Sequence, residues 1–353
     1  MPDEEVNEIR KTSAEVNCCS VNAPRTRLLL GLLAIGMIAG GPGRAFGQQG
    51  LQVVPSPFIN NSSLSGTVAI ADNDIWAVGS IGNTASNVVT LAEHFNGSSW
   101  SVVSTPLVKG SLFASVAAAA SNDVWAVGLQ NDGSNGNAKP LIEHWNGTNW
   151  SVVSGAKVPK GSFLTGVAAV TSNDFWAVGN QPVSGSTGFN SFIEHWNGTS
   201  WSVVSSPQFA GGSFLDRVAA GSANDVWAVG QGNGVGLVEH WNGQTWSVFP
   251  SPSLAGNPNN AGTHKLDALT LLSPTNVWAV GSQPGTPPTD IQGVIEHWNG
   301  TSWSIVAGAQ ANIILRGHRG RLRGQHLGRL RGHDRALGRH KLEPPRHPER
   351  GQS

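Results

Sequence analysis

Ile193-Glu194-His195-Trp196-Asn197-Gly198-Thr199-Ser200-Trp201-Ser202-Val203-Val204 is the fullest copy of a stretch that the chain repeats five times. The other copies begin at Ala92, Ile142, Val238 and Ile295. Each is preceded by an Asp/Asn-x-Trp-Ala-Val-Gly box, with its Trp at Trp76, Trp125, Trp176, Trp227 or Trp278. Successive box tryptophans lie 49, 51, 51 and 51 residues apart. A fixed period near 50 residues signals a stacked or radial repeat array.

Residues 160–207 show what one repeat contains. Phe163–Val170 is an apolar run rich in Val and Ala, suited to a buried inner strand. Thr171-Ser172-Asn173-Asp174 is a turn cluster. Phe175–Val178 reads as a second strand ended by Gly179, and Phe192–Trp196 as a third after a variable loop. Asn197-Gly198 is a strong hairpin signal, because both central residues of a type I′ turn need φ > 0. Thr199–Val204 then forms a fourth strand, ended by Ser205-Ser206-Pro207. Four short strands in about 50 residues match one propeller blade. The expected fold is therefore all-β, a β-propeller of five complete four-stranded blades over residues 51–310, forming an incomplete or open ring. Leu51-Gln52-Val53-Val54-Pro55-Ser56-Pro57 matches Trp201–Pro207 and reads as a lone outer strand, the piece a closing ring needs to hide an edge.

On these residues the chain resembles the kelch-like β-propellers, such as the middle domain of galactose oxidase and bacterial secreted repeat proteins. The Gly-ended second strand (Trp176-Ala177-Val178-Gly179) and the Trp opening the fourth strand (Trp201) carry the likeness. A single Gly stands where kelch boxes have two. Gly198-x-Ser200-Trp201 is also similar to the Asp-box turn of sialidase-type propellers, with Trp196 at the position of the Asp. The resemblance implies a blade scaffold rather than either family's chemistry. Galactose oxidase needs Tyr ligands and a Tyr–Cys cross-link, but the chain has no Tyr and its cysteines, Cys18 and Cys19, precede the repeats. Sialidase-type catalysis needs a Tyr nucleophile and an Arg cluster, and the repeats hold only Arg217.

The ends differ from the body. Arg25 and Arg27 precede thirteen apolar or glycine residues, Leu28–Gly40, and Ala45-Phe46-Gly47 forms a small-x-small site before Gln48. That order marks residues 1–47 as a signal peptide region. The run is shorter than the ~20 residues a membrane span needs, so an uncleaved anchor is the lesser alternative. A secreted or cell-surface location follows. Residues 51–310 carry six Lys/Arg against fourteen Asp/Glu, whereas residues 312–353 carry eleven against three. The acidic body argues against nucleic acid as a partner. Residues 312–353 form a basic, irregular tail. Leu-Gly or Leu-Glu encoded CTG-GGN or CTG-GAR contains the Trp codon one base along, and such pairs stand at Leu327-Gly328, Leu337-Gly338 and Leu342-Glu343. The last two are five residues apart, as Trp298 and Trp303 are, so the tail reads as a frame-shifted sixth repeat.

Residue types capable of chemistry recur with the repeat. Five Glu-His pairs contain His94, His144, His195, His240 and His297. Neighbouring strand residues point to opposite faces, so the two members of a pair cannot share a ligand. With the box tryptophans they are expected to be repeat core, tied by inter-blade hydrogen bonds. The sequons at Asn96, Asn146, Asn197 and Asn299 are explained by the hairpin alone. Asn131–Asn137 offers loop oxygens without full calcium-loop spacing. No catalytic residue, cofactor or metal is expected. Binding should sit where repeats differ, because loops on a rigid scaffold carry function. The candidates are loops 80–90, 129–140, 180–191, 231–236 and 282–293, with Asp132, Lys139, Asp290 and the non-repeated Asp216-Arg217. The expected function is a non-catalytic extracellular binding module for a glycan or protein. The alternatives are a carbohydrate-active enzyme with loop carboxylates, or a truncated copy without function.

Overall fold

A computed structural model of the chain describes residues 54–84, 87–131, 138–186, 188–252, 264–284 and 291–306. The leader, Asp132, Asp290 and the tail lie outside these residues. The described residues form twenty strands in five four-stranded antiparallel sheets, each strand paired with the next in sequence. The third blade is representative, with β9 (Phe163–Thr171), β10 (Asp174–Pro182), β11 (Phe189–Trp196) and β12 (Trp201–Val204). The inner strands are β1 (Ser62–Ala71), β5 (Ser111–Ala120), β9, β13 (Ser213–Ser222) and β17 (Lys265–Ser273), and each packs against the next. Among the described residues the first and fifth blades share no comparable packing, so the array is open.

Burial explains why these strands are apolar on both faces. Four hydrophobic clusters correspond to the four interfaces between successive blades. In the cluster between the third and fourth blades, Trp176, Val178 and Ile193 meet Leu215, Val226, Ala228, Leu237 and Trp246. Trp176 is 2% exposed. It lies 4.3 Å from the His195 ring of its own blade, and 5.0 and 5.5 Å from Trp241 and Trp246 of the next. The first, second and fourth boxes repeat this, with box Trp to next-blade Trp distances of 4.9–5.6 Å. Tilted and edge-on rings at such distances contribute about 0.5–1.5 kcal/mol per pair beyond the area they bury.

Four local expectations need correction. First, Gly179 does not end the second strand, since β10 continues to Pro182. A Cβ at Gly179 would lie 2.2 Å from the Phe163 carbonyl oxygen, so the glycine is demanded by close backbone approach at a bulge that skips Thr165. The same bulge skips Ser65, Ala114, Asp216 and Asp267 in the other inner strands. Second, Asn197-Gly198 is not a type I′ turn. Gly198 has φ +89°, but Asn197 is not among the positive-φ residues. Its side chain instead accepts hydrogen bonds from the Thr199 and Ser200 amides, both 3.0 Å. The two-residue turn with both φ positive occurs at Asn233-Gly234, where φ is 51° and 80°. Third, the histidines bond within their own blades, as described below. Fourth, Val54–Pro57 carries no strand, and Leu51–Val53 lies outside the described residues.

Candidate functional site

Antiparallel pairing divides every blade into two ends. One end holds the turn between the first and second strands and the Asn-Gly turn. The other holds the loop between the second and third strands, the link to the next blade and the start of the inner strand. Repetition is strict at the first end and lost at the second.

At the repeated end, the His Nε2 atoms of His94, His144, His195 and His240 lie 2.8 Å from Oδ1 of Asp74, Asp123, Asp174 and Asp225, each in the same blade. His297 meets Asn276 instead, at 3.0 Å. Each ring stacks on its box Trp, so the pair orients an aromatic core rather than a substrate. The neighbouring glutamates point to the preceding blade. Glu143 accepts from Thr90 at 3.4 Å, Glu194 from the Ala156 amide at 3.1 Å and Glu296 from Ser251 at 2.6 Å. Burial pushes Glu143 and Glu239 up to about 8 and Glu194 up to about 7, and it also raises Glu93. All of these carboxyls are buried, and Glu143, Glu194, Glu239 and Glu296 lie on the faces that meet the preceding blade.

At the variable end two features stand out. One is a cluster of charges on β13 and β17. Lys265 Nζ lies 2.7 Å from Asp267 Oδ1 and 3.5 Å from Asp216 Oδ1. The bulges bring these acids together, because Asp216 and Asp267 are the skipped residues of adjacent inner strands. Burial raises the Asp216 pKa, and the Asp267 charge adds to that against the opposing Lys265 and Arg217. Burial works against the Lys265 charge, yet Asp216 and Asp267 hold its pKa above the usual lysine value. Arg217 points elsewhere, donating to the Thr165 carbonyl at 3.0 Å and the Asp216 carbonyl at 2.8 Å. The structure thus joins Asp216 to Lys265 and Asp267, which the sequence reading did not select, and separates Arg217 as a backbone tie between blades.

The other feature is an open groove of about 450 Å³ lined by Pro159, Gln181, Pro182, Val183, Ser184 and Asn190. Asn190 Oδ1 is buried and has no hydrogen-bond partner among the described residues. Beside Asn190, Phe189 lies 5.9 Å from Phe163 and 5.7 Å from Phe214, a ladder of rings from two blades. The corresponding inner-strand residues are Ser63, Leu112 and Lys265 in the other blades, so the ladder is unique to this part of the array. The groove falls in loop 180–191, one of the candidate loops. Lys139 is exposed on β7 (Ala138–Trp145), opposite Gln130 and away from any cluster described.

No family model matches the chain, and no curated protein matches it. Among solved structures, a mutant of Aleuria aurantia lectin in complex with Fucalpha1-6GlcNAc is 15% identical, covering 70% of this chain and 78% of that one with TM-score 0.49. The WD40 repeats of RRP9 are 12% identical, covering 69% and 62% with TM-score 0.45. A xyloglucanase from Xanthomonas campestris is 14% identical, covering 67% and 37% with TM-score 0.41. On the evidence of its own five blades, the chain is a β-propeller repeat protein.

Proposed function

We propose that this chain is a non-catalytic, kelch-like binding propeller that works outside the cytoplasm and takes a glycan on its variable end. The observation that carries the reading is the groove at loop 180–191. It is lined by Gln181, Ser184 and Asn190, whose buried Oδ1 has no partner among the described residues, between two prolines. Hydroxyl-rich ligands need that mixture of fixed polar groups and apolar walls. Its place where the blades cease to repeat fits a selected site rather than a scaffold requirement. The leader-like residues 1–47 support the extracellular placement, and N-terminal sequencing of protein exported by its host tests it.

Binding is tested by screening the full chain on a glycan array and titrating the hits by calorimetry. Asn190→Ala and Gln181→Ala should each weaken binding about tenfold, the loss of roughly one well-made hydrogen bond. Asn197→Ala, at the opposite end, should leave it unchanged. If no glycan binds, or if binding ignores both groove variants, the reading fails. A second, hydrolytic reading rests on Asp216 and Asp267, two carboxylates meeting at one ammonium. Release of reducing sugar from a bound glycan, abolished by Asp267→Asn, would favour it over simple binding.

A further inference from the structure

The interfaces between blades define what each blade face needs. Inside the array, the face bearing the box Trp is covered by the two tryptophans of the next blade's third and fourth strands. The fifth blade has no such cover among the described residues. Trp278, Val280 and Ile295 are partly exposed, whereas their equivalents Trp176, Val178 and Ile193 are buried. Trp278 keeps the stack on its own His297, 4.3 Å away, and its bond to Asn276, 2.7 Å. No other aromatic contact to it is present among the described residues, where each preceding box Trp has at least two from the next blade. The first blade shows the complementary deficit. Leu64, Ile75 and Trp100 are partly exposed, while Leu164, Phe175 and Trp201 are buried.

We infer that these two faces are an interaction surface for one further blade of the same repeat, which packs on Trp278 with a His-Trp-Asn-Gly-x-x-Trp hairpin and on Trp100 with its other face. The established interfaces supply the geometry, since both faces carry the residue types that meet four times inside the array. One blade, in ring order after the fifth and before the first, would cover both faces together. A second copy of the chain covers one face and brings a new open face of its own, the head-to-tail contact that grows without closing. The tail is also compatible with a blade, because Leu337-Gly338 and Leu342-Glu343, if encoded CTG-GGN and CTG-GAR, would read one base along as two tryptophans at the spacing of Trp298 and Trp303. The inference is independent of any ligand in the groove.

The full chain is compared with two extended chains, in which residues 307–353 are replaced by a second copy of residues 205–249 or of residues 154–204. An added blade should raise the thermal midpoint by about 5 °C or more, as burial of two large apolar faces implies. In the extended chain, Trp278→Ser should lower the midpoint by about 5 °C or more. In the chain without the added blade the same substitution should cost less than about 2 °C. Sedimentation should show the extended chains as monomers. The inference is overturned if neither extension raises the midpoint, insolubility of both included, or if the Trp278→Ser effect is equal in the two backgrounds. It is also overturned if the unextended chain self-associates through Trp278, because the occupant is then a second copy.

Discussion

The two ends of each blade follow opposite rules. At one end, five copies of an Asp or Asn, a His, a box Trp and an Asn-Gly turn make nearly the same contacts at nearly the same distances. At the other, the third and fourth blades carry phenylalanines and amides while the fourth and fifth carry Asp216, Lys265 and Asp267. In a repeat protein, a residue that recurs serves the stacking of one blade on the next. A residue that does not recur has no such duty, and its cost in stability must be small or offset by use. The comparison separates scaffold from site without any bound ligand.

Substitutions can break this contrast. The largest effect should come from Trp176→Ala, which empties an interface ring and should cost about 3–5 kcal/mol by chemical denaturation while the blades on either side lose their register. A loss below about 1 kcal/mol would mean that the box Trp is not central to the interface. Next is pH. Glu143, Glu194 and Glu239 are raised well above the unfolded value, so the folded chain holds more protons than the unfolded chain between about pH 4.5 and 8. Their contribution is fully present below about pH 4.5 and is lost as pH rises through about 7 to 8. Melting should therefore fall by several degrees from pH 5.5 to 8.5, and Glu239→Gln should flatten part of that slope. A midpoint that rises with pH would contradict the burial of these carboxyls.

A smaller effect is expected at the turns. Asn197→Ala removes an acceptor for two amides and should cost about 1 kcal/mol, comparable to losing a helix cap. Smallest of all, Asn190→Ala at the variable end should change stability by less than about 0.5 kcal/mol, since it breaks no bond among the described residues. If Asn190→Ala proved as destabilising as Asn197→Ala, the groove would belong to the scaffold.

Much of this division is legible in the amino-acid sequence. The spacing of Trp76, Trp125, Trp176, Trp227 and Trp278, 49 and then 51 residues, gave blade number and order, and the alternation of Glu194 and His195 gave opposite faces. The errors share a cause. Gly179 looks like a strand end because glycine is rare inside strands, and only the paired register shows that a Phe163 carbonyl occupies the space of its side chain. That same bulge shifts the inner strand out of simple alternation. It therefore hid the meeting of Asp216 with Lys265 and Asp267, residues 49 and 51 positions away in sequence. Asn197 was expected to twist its backbone, when its side chain does the work through two amide bonds. The groove itself had no signature, because Gln181, Ser184 and Asn190 are ordinary loop residues until a fold sets them around one space.

The open array also governs how the molecule comes apart. Among the described residues each blade is held by its neighbours, so interior blades have two protecting partners and the outer blades have one. Amide hydrogens of β10, in the central blade, should then exchange slowest, those of β14 (Asp225–Gly232) faster, and those of β2 (Asp74–Ile81) and β18 (Asn276–Pro284) fastest, in a gradient that runs inward from both ends. The variable end of the third blade, where the groove lies, sits at the slow centre of that gradient. A ligand there would meet a surface that stays assembled while the flanks fray.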